Sequence, residues 1–186
     1  MQVDPKQSHY PAPRLNEIAE RRTLSVLVDN EPGVLARVIG LFSGRGYNID
    51  SLTVTETEHE KHLSRITIVT RGTPAVIEQI KHQLERMVPV HHVIDLTAEG
   101  VALERELALI KVVGRGENRI EALRLAEIFR AQVIDASTDH FVFEITGRTS
   151  KVEQFISIMS GLGLVDVART GIAAISRGQE PMRKPE

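Results

Sequence analysis

Leu24, Val26 and Val28 alternate with shorter or polar neighbours, and a little further on Leu35, Val38, Ile39 and Phe42 recur at helical spacing. A period of two giving way to a helical period predicts a strand with one buried face, then a helix whose apolar stripe faces the sheet. Asn30-Glu-Pro-Gly33 makes the turn between them. Pro32 suits the first helical turn, where its missing N–H costs nothing, and Gly33 leaves the backbone open to close approach by a ligand. The Gly44–Gly46 region offers a residue able to end the helix in the left-handed conformation, and the chain then returns as a strand as far as Thr55.

Glu56–His62 is polar and predicts a hairpin connection, after which Leu63–Thr70 alternates as a strand. Thr73 caps a second helix with Pro74 at its first position, and Val76, Ile77, Ile80 and Leu84 form its stripe. Val88–Leu96 completes a βαββαβ order, the ferredoxin-like arrangement of two split βαβ units with both helices on one face of an antiparallel sheet. The second half repeats it. Leu107–Val113 reads as a strand, Ala122, Leu125, Ala126 and Phe129 stripe a helix, and Gln132–Ala136 and His140–Thr146 are strands around a short turn. Ser150-Lys-Val-Glu153 has the form of a capping box opening a helix striped by Val152, Phe155, Ile156 and Met159, and one last strand covers about Leu164–Ile175. The stretch from Thr73 to Gln79 is similar to that from Thr149 to Gln154. The class is α+β: two related ferredoxin-like domains, 22–97 and 98–178, joined near Ala98–Glu104, with 1–21 and 179–186 as disordered extensions.

Composition narrows the function. The chain has 186 residues and no apolar run long enough to cross a bilayer, so it reads as soluble with no membrane partner. A net charge of −2 without a concentrated basic stripe argues against nucleic acid. Cysteine is absent, which excludes disulfides, thiolate nucleophiles and thiolate metal sites and suits a cytoplasmic protein. The first residues lack the apolar core of a signal peptide. Domains this small bury only about 60% of their unfolded surface, so contact with another copy or a partner is expected.

The Asn30-Glu-Pro-Gly33 loop sits where a strand feeds a helix, so backbone N–H groups and the positive helix end can hold a carboxylate. The Asn30 amide oxygen can accept from an ammonium group, and the combination suits a zwitterionic amino acid. Read alone, Asn30 equally fits a helix cap, and Asn48 equally fits a turn residue tolerant of unusual dihedrals. Gly114-Arg-Gly116 lacks the rest of a phosphate-binding fingerprint and reads as a turn. It replaces the Asn-x-Pro-Gly loop in the second repeat, leaving that domain without the amino-acid site. His59 and His62 have ligand-like spacing but sit in an acidic hairpin, and His91 and His92 point to opposite faces of a strand, so no metal site is expected. Glu56, Glu58 and Glu60 have no apolar surroundings to raise a pKa, and no Gly-x-Ser-x-Gly motif is present. No catalytic constellation is visible.

Asp29-Asn-Glu-Pro-Gly-Val-Leu35, Leu41-Phe42 and Arg45-Gly-Tyr-Asn-Ile-Asp-Ser-Leu-Thr-Val54 together resemble the N-terminal ACT domain of the small, regulatory subunit of acetolactate synthase. The likeness resumes in Leu63–Ile68, Arg105–Lys111, Glu127–Asp135, Val167–Gly171 and Ser176–Gly178, so it spans about residues 22–178. A generic ACT domain would share only the first loop. The resemblance implies a non-catalytic subunit that binds the large catalytic subunit, raises its activity and lets valine inhibit it in branched-chain amino-acid synthesis. Thiamine diphosphate, magnesium and FAD belong to the large subunit in that family, with no cofactor in this chain. It also implies valine contacts at Asn30, Gly33, Val34, Leu35, Asn48 and Ile49, within a homodimer formed through the ACT domain. About 18 Å of helix separates Asn30 from Asn48, so a site using both takes them from two chains. A free-standing amino-acid sensor controlling transcription or transport is the alternative, against which stands the lack of a helix-turn-helix or basic arm.

Overall fold

A computed structural model describes residues 18–58, 62–98, 102–179 and 182. His59, Glu60, most of the expected N-terminal extension and most of the expected tail lie outside the described residues.

The first unit runs β1 (Glu20–Asp29), α1 (Val34–Gly44), β2 (Ile49–Glu58), β3 (Leu63–Gly72), α2 (Pro74–Glu85) and β4 (Val90–Asp95). The second runs β5 (Ala102–Val113), α3 (Glu117–Phe129), β6 (Gln132–Ala136), β7 (His140–Gly147), α4 (Thr149–Ser160) and β8 (Leu164–Arg169), followed by β9 (Ala173–Ser176). The sheet orders β2-β3-β1-β4 and β6-β7-β5-β8 are equivalent, and every pairing is antiparallel. These are two ferredoxin-like βαββαβ domains. The first core packs Leu24, Val26 and Val28 of β1 against Val38 and Phe42 of α1 and Ile77, Ile80 and Leu84 of α2. The second packs Ile110 and Val112 against Phe143, Phe155 and Met159.

The helix phases depart from the sequence reading in informative ways. Gly33, at φ +86, is the α1 N-cap, so Pro32 lies in the preceding turn and not in the first helical turn. A helix starting at Val34 puts Val34, Val38 and Phe42 into the core and leaves Leu35 37% exposed. In α4 the N-cap is Arg148 with no side-chain cap, so Ser150 stands inside the first turn and the expected capping box does not form. By contrast, Thr73 caps α2 by accepting from the Val76 N–H at 3.4 Å, with Pro74 at the first helical position.

Strand ends also shift. β1 begins at Glu20, paired with Gly72, which draws Glu20 and Arg21 out of the expected extension. β4 starts at Val90, leaving Val88 94% exposed in the turn. The last strand is broken: Gly171, at φ +80, turns the chain between β8 and β9. β9 then pairs with Ala102–Arg105, so the start of β5 forms a ribbon with β9 where a linker was expected. Residues of that ribbon cover the outer face of the first sheet, where Val69, Leu96, Ile172 and Ala174 form a third, smaller core. Glu104 bonds Arg21 at 3.0 Å and accepts from the Thr23 hydroxyl at 2.5 Å, which pins the ribbon to β1.

Candidate effector site

The Asn30–Gly33 loop is fixed through its backbone. Asp29 N–H donates to the Pro89 carbonyl at 2.9 Å and Asn30 N–H to the His62 carbonyl at 2.6 Å. The Asp29 carboxylate is held in turn by His91 Nε2 at 2.6 Å, a neighbour that alternation on the strand did not announce, since β4 bulges there against β1. The Asn30 side chain is exposed and forms no bond among the described residues, and the α1 cap is Gly33, so Asn30 is not the cap of this helix. Among the described residues no side chain caps α1, and Val34 N–H donates to the Glu31 carbonyl at 3.4 Å. An uncapped helix start retains N–H groups and partial positive charge for a bound anion. Nothing lies within 4 Å of where a Gly33 Cβ would sit, so the approach is open.

At the other end of α1, the Asn48 carbonyl accepts from the Thr70 hydroxyl at 2.6 Å, while its side-chain N–H donates to Asp50 Oδ1 at 2.6 Å. Arg71 Nε donates to the second Asp50 oxygen at 2.8 Å. Asn48 is exposed and lines a groove of about 780 Å³ between the two domains, together with Asp50, Arg71, Glu106, Arg169 and Gly171. Sequence reasoning missed this charged groove. The one visible signal was Glu106, a carboxylate just ahead of the apolar alternation in β5, which is 4% exposed and holds Arg169 Nε at 2.9 Å and the Thr149 hydroxyl at 3.4 Å.

The expected contact positions therefore fall into two groups. Asn30, Gly33 and Leu35 sit at the start of α1; Asn48 and Ile49 sit past its end. The eleven residues of α1 separate them by about 16 Å. Val34 points its side chain into the core, 3% exposed, so only its backbone is available there, and Ile49 is half-buried against the same core.

The equivalent loop of the second domain is built differently. Gly116 precedes α3 at φ +60, Gly114 N–H donates to the Asp139 carbonyl at 3.1 Å, and Arg115 pairs with the Asp139 carboxylate at 2.7 Å. It is a turn tied to the β6–β7 connection. Among the described residues no group of three or more His, Asp or Glu side chains is placed to hold a metal ion, and no helix is long and apolar enough to cross a membrane.

Comparison with known proteins gives one consistent result across both domains. Residues 24–92 match the family model described as the AHAS small subunit-like ACT domain, and residues 105–178 match that of the small subunit of acetolactate synthase. A probable acetolactate synthase small subunit of Archaeoglobus fulgidus is 47% identical over 86% of this chain and 99% of its own length. The acetolactate synthase isozyme 3 small subunit of Escherichia coli is 46% identical over 88% and 99%. The crystal structure of the Thermotoga maritima acetolactate synthase small subunit superposes with a TM-score of 0.78 at 42% identity, covering 87% of this chain and 99% of that one. With both domains and their order accounted for, the chain belongs to the acetolactate synthase small-subunit family.

Proposed function

We propose that this chain is the regulatory subunit of an acetolactate synthase: it binds the large catalytic subunit, raises its activity and confers feedback inhibition by valine. The observation that carries the effector reading is the start of α1. There a helix end without a side-chain cap, a glycine with open space over it and an asparagine side chain with no bond among the described residues stand side by side. A valine carboxylate would take the helix N–H groups, and its ammonium the Asn30 amide oxygen. Asn48 and Ile49 complete the site from a second copy, in a two-fold dimer formed through the first domain. A small apolar pocket separates side chains differing by one methylene by only about 1 to 3 kcal/mol, so leucine and isoleucine bind more weakly but measurably.

No catalytic role is assigned to the chain, and the thiamine diphosphate, magnesium and FAD of the synthase reaction are expected on the large subunit. The deciding experiment measures acetolactate formation by the large subunit with and without this chain, across a valine titration. Stimulation that valine reverses is the expected result; an unchanged rate with the chain present, under conditions where the two subunits associate, overturns it.

A further inference from the structure

The candidate effector residues at the end of α1 lead directly into the contact between the two domains. β2 bulges at Asp50, and as a result the consecutive residues Asp50 and Ser51 both line the interdomain groove. The second domain answers with the turn Thr170-Gly171-Ile172. Ile172 N–H donates to Ser51 Oγ at 3.0 Å, and the Ile172 carbonyl accepts from Thr53 Oγ1 at 3.0 Å, so one residue is gripped on both sides of its backbone by adjacent same-face side chains of β2. A Cβ on Gly171 would lie 2.9 Å from Thr53 Oγ1, 3.0 Å from Ser51 Oγ and 3.3 Å from the Leu52 carbonyl, so backbone rests on strand with no intervening space.

On its far side the same turn is bound to its own domain. Thr170 N–H donates to the Leu107 carbonyl at 3.0 Å, and Thr170 Oγ1 accepts from Leu107 N–H at 3.1 Å. One residue away on each strand, Arg169 is held by the buried Glu106, which also takes the Thr149 hydroxyl at the first residue of α4. An unbroken set of contacts thus runs from Asn48 and Ile49, along β2, across Ser51 and Thr53 to Ile172, and on to α4. These directly bonded contacts form one wall of the groove, and a displacement of one residue is passed to the next through its hydrogen bonds.

We infer that the Ser51/Thr53 contact with the 170–172 turn is the coupling element through which effector occupancy in the first domain is passed to the second. Ser51 and Thr53 are positioning residues in this scheme and touch no effector. The inference rests on the effector reading above.

The test uses the full chain assembled with its large subunit, with Ser51→Ala and Thr53→Val combined. Three quantities are read: valine affinity by calorimetry, stimulation of acetolactate formation without valine, and the valine concentration giving half-inhibition. Affinity within about twofold of the parent and retained stimulation, with half-inhibition shifted about tenfold or more, is the expected pattern, a shift within the range of ordinary coupling free energies. Thr53→Ser alone, which keeps the hydroxyl, leaves half-inhibition like that of the parent. Inhibition like that of the parent overturns the coupling alone. So does a loss of valine affinity proportional to the loss of inhibition, which reduces the contact to a structural support. A parent chain that binds no valine overturns both readings. If the double variant fails to fold, Ser51→Ala alone is judged by the same criteria.

Discussion

At Asn30, a backbone fixed by the His62 carbonyl carries an exposed side chain that forms no hydrogen bond among the described residues. Replacing Asn30 with Ala is therefore expected to leave thermal stability unchanged while weakening valine binding. Loss of a hydrogen bond to a charged group costs about 1.5 to 3 kcal/mol, or about ten- to a hundredfold in affinity by calorimetry. An unchanged affinity would remove Asn30 from the site. Glu104 poses a different question. Burial pushes its carboxyl up, but hydrogen bonds from Arg21 and Thr23 and the charges of Arg21 and Arg148 outweigh that and hold it below its ordinary value of 4.5. A depressed folded-state value means that the stabilisation is present above pH 4.5 and is lost as pH falls through the lower folded value. The stability gap between the parent and Glu104→Gln, from urea unfolding at a series of pH values, should thus be widest at neutral pH and close in acid. A gap independent of pH would show that folding does not lower the Glu104 pKa.

At the level of single elements, α2 and α4 carry similar sequence signals and end up with different caps. Thr73 accepts from the Val76 N–H, whereas Ser150 lies inside α4 with Arg148 at the cap. Thr73→Ala is accordingly expected to cost about 1 kcal/mol in chemical denaturation, and Ser150→Ala a few tenths at most. Equal losses would mean that the Thr73 bond contributes nothing. A larger effect belongs to Gly163, which enters β8 at φ +102 with its carbonyl accepting from Val113 N–H at 2.8 Å. An alanine Cβ there would meet the Val113 carbonyl oxygen at 2.0 Å, a backbone atom that cannot swing away. Gly163→Ala should therefore destabilise the second domain well beyond the roughly 1 to 2 kcal/mol of a left-handed residue alone. Equilibrium unfolding of that variant measures it directly.

For the whole molecule, the separation of Asn30 from Asn48 by the length of α1 turns a list of contact positions into a statement about assembly. If one valine uses both, they come from two chains related by a two-fold axis, and each dimer holds two equivalent sites. Asn30→Ala and Asn48→Ala chains, each defective alone, would on exchange yield mixed dimers with one doubly damaged site and one intact site. Tight valine binding is then expected to return at up to about one site per mixed dimer. No recovery, with exchange verified independently, would place each site within one chain.

Hydrophobic periodicity determined much of this protein on its own. The alternation in β1, β3 and β5 and the stripes of α2 and α4 specify two βαββαβ repeats, because burial of one face is a local, periodic property of the chain. Asn30-Glu-Pro-Gly33 marked the candidate effector loop for the same reason: turn chemistry is written in adjacent residues. The phase of α1 was less legible, since Val34 and Leu35 are both apolar and only the docking of the helix against β1 decides which is buried. The β5–β9 ribbon, the Glu104 link to Arg21 and Thr23, and the grip of Ser51 and Thr53 on Ile172 were decided by the tertiary structure alone. Each joins residues far apart in the chain through polar groups that carry no period, so their partners become defined only when distant segments fold together.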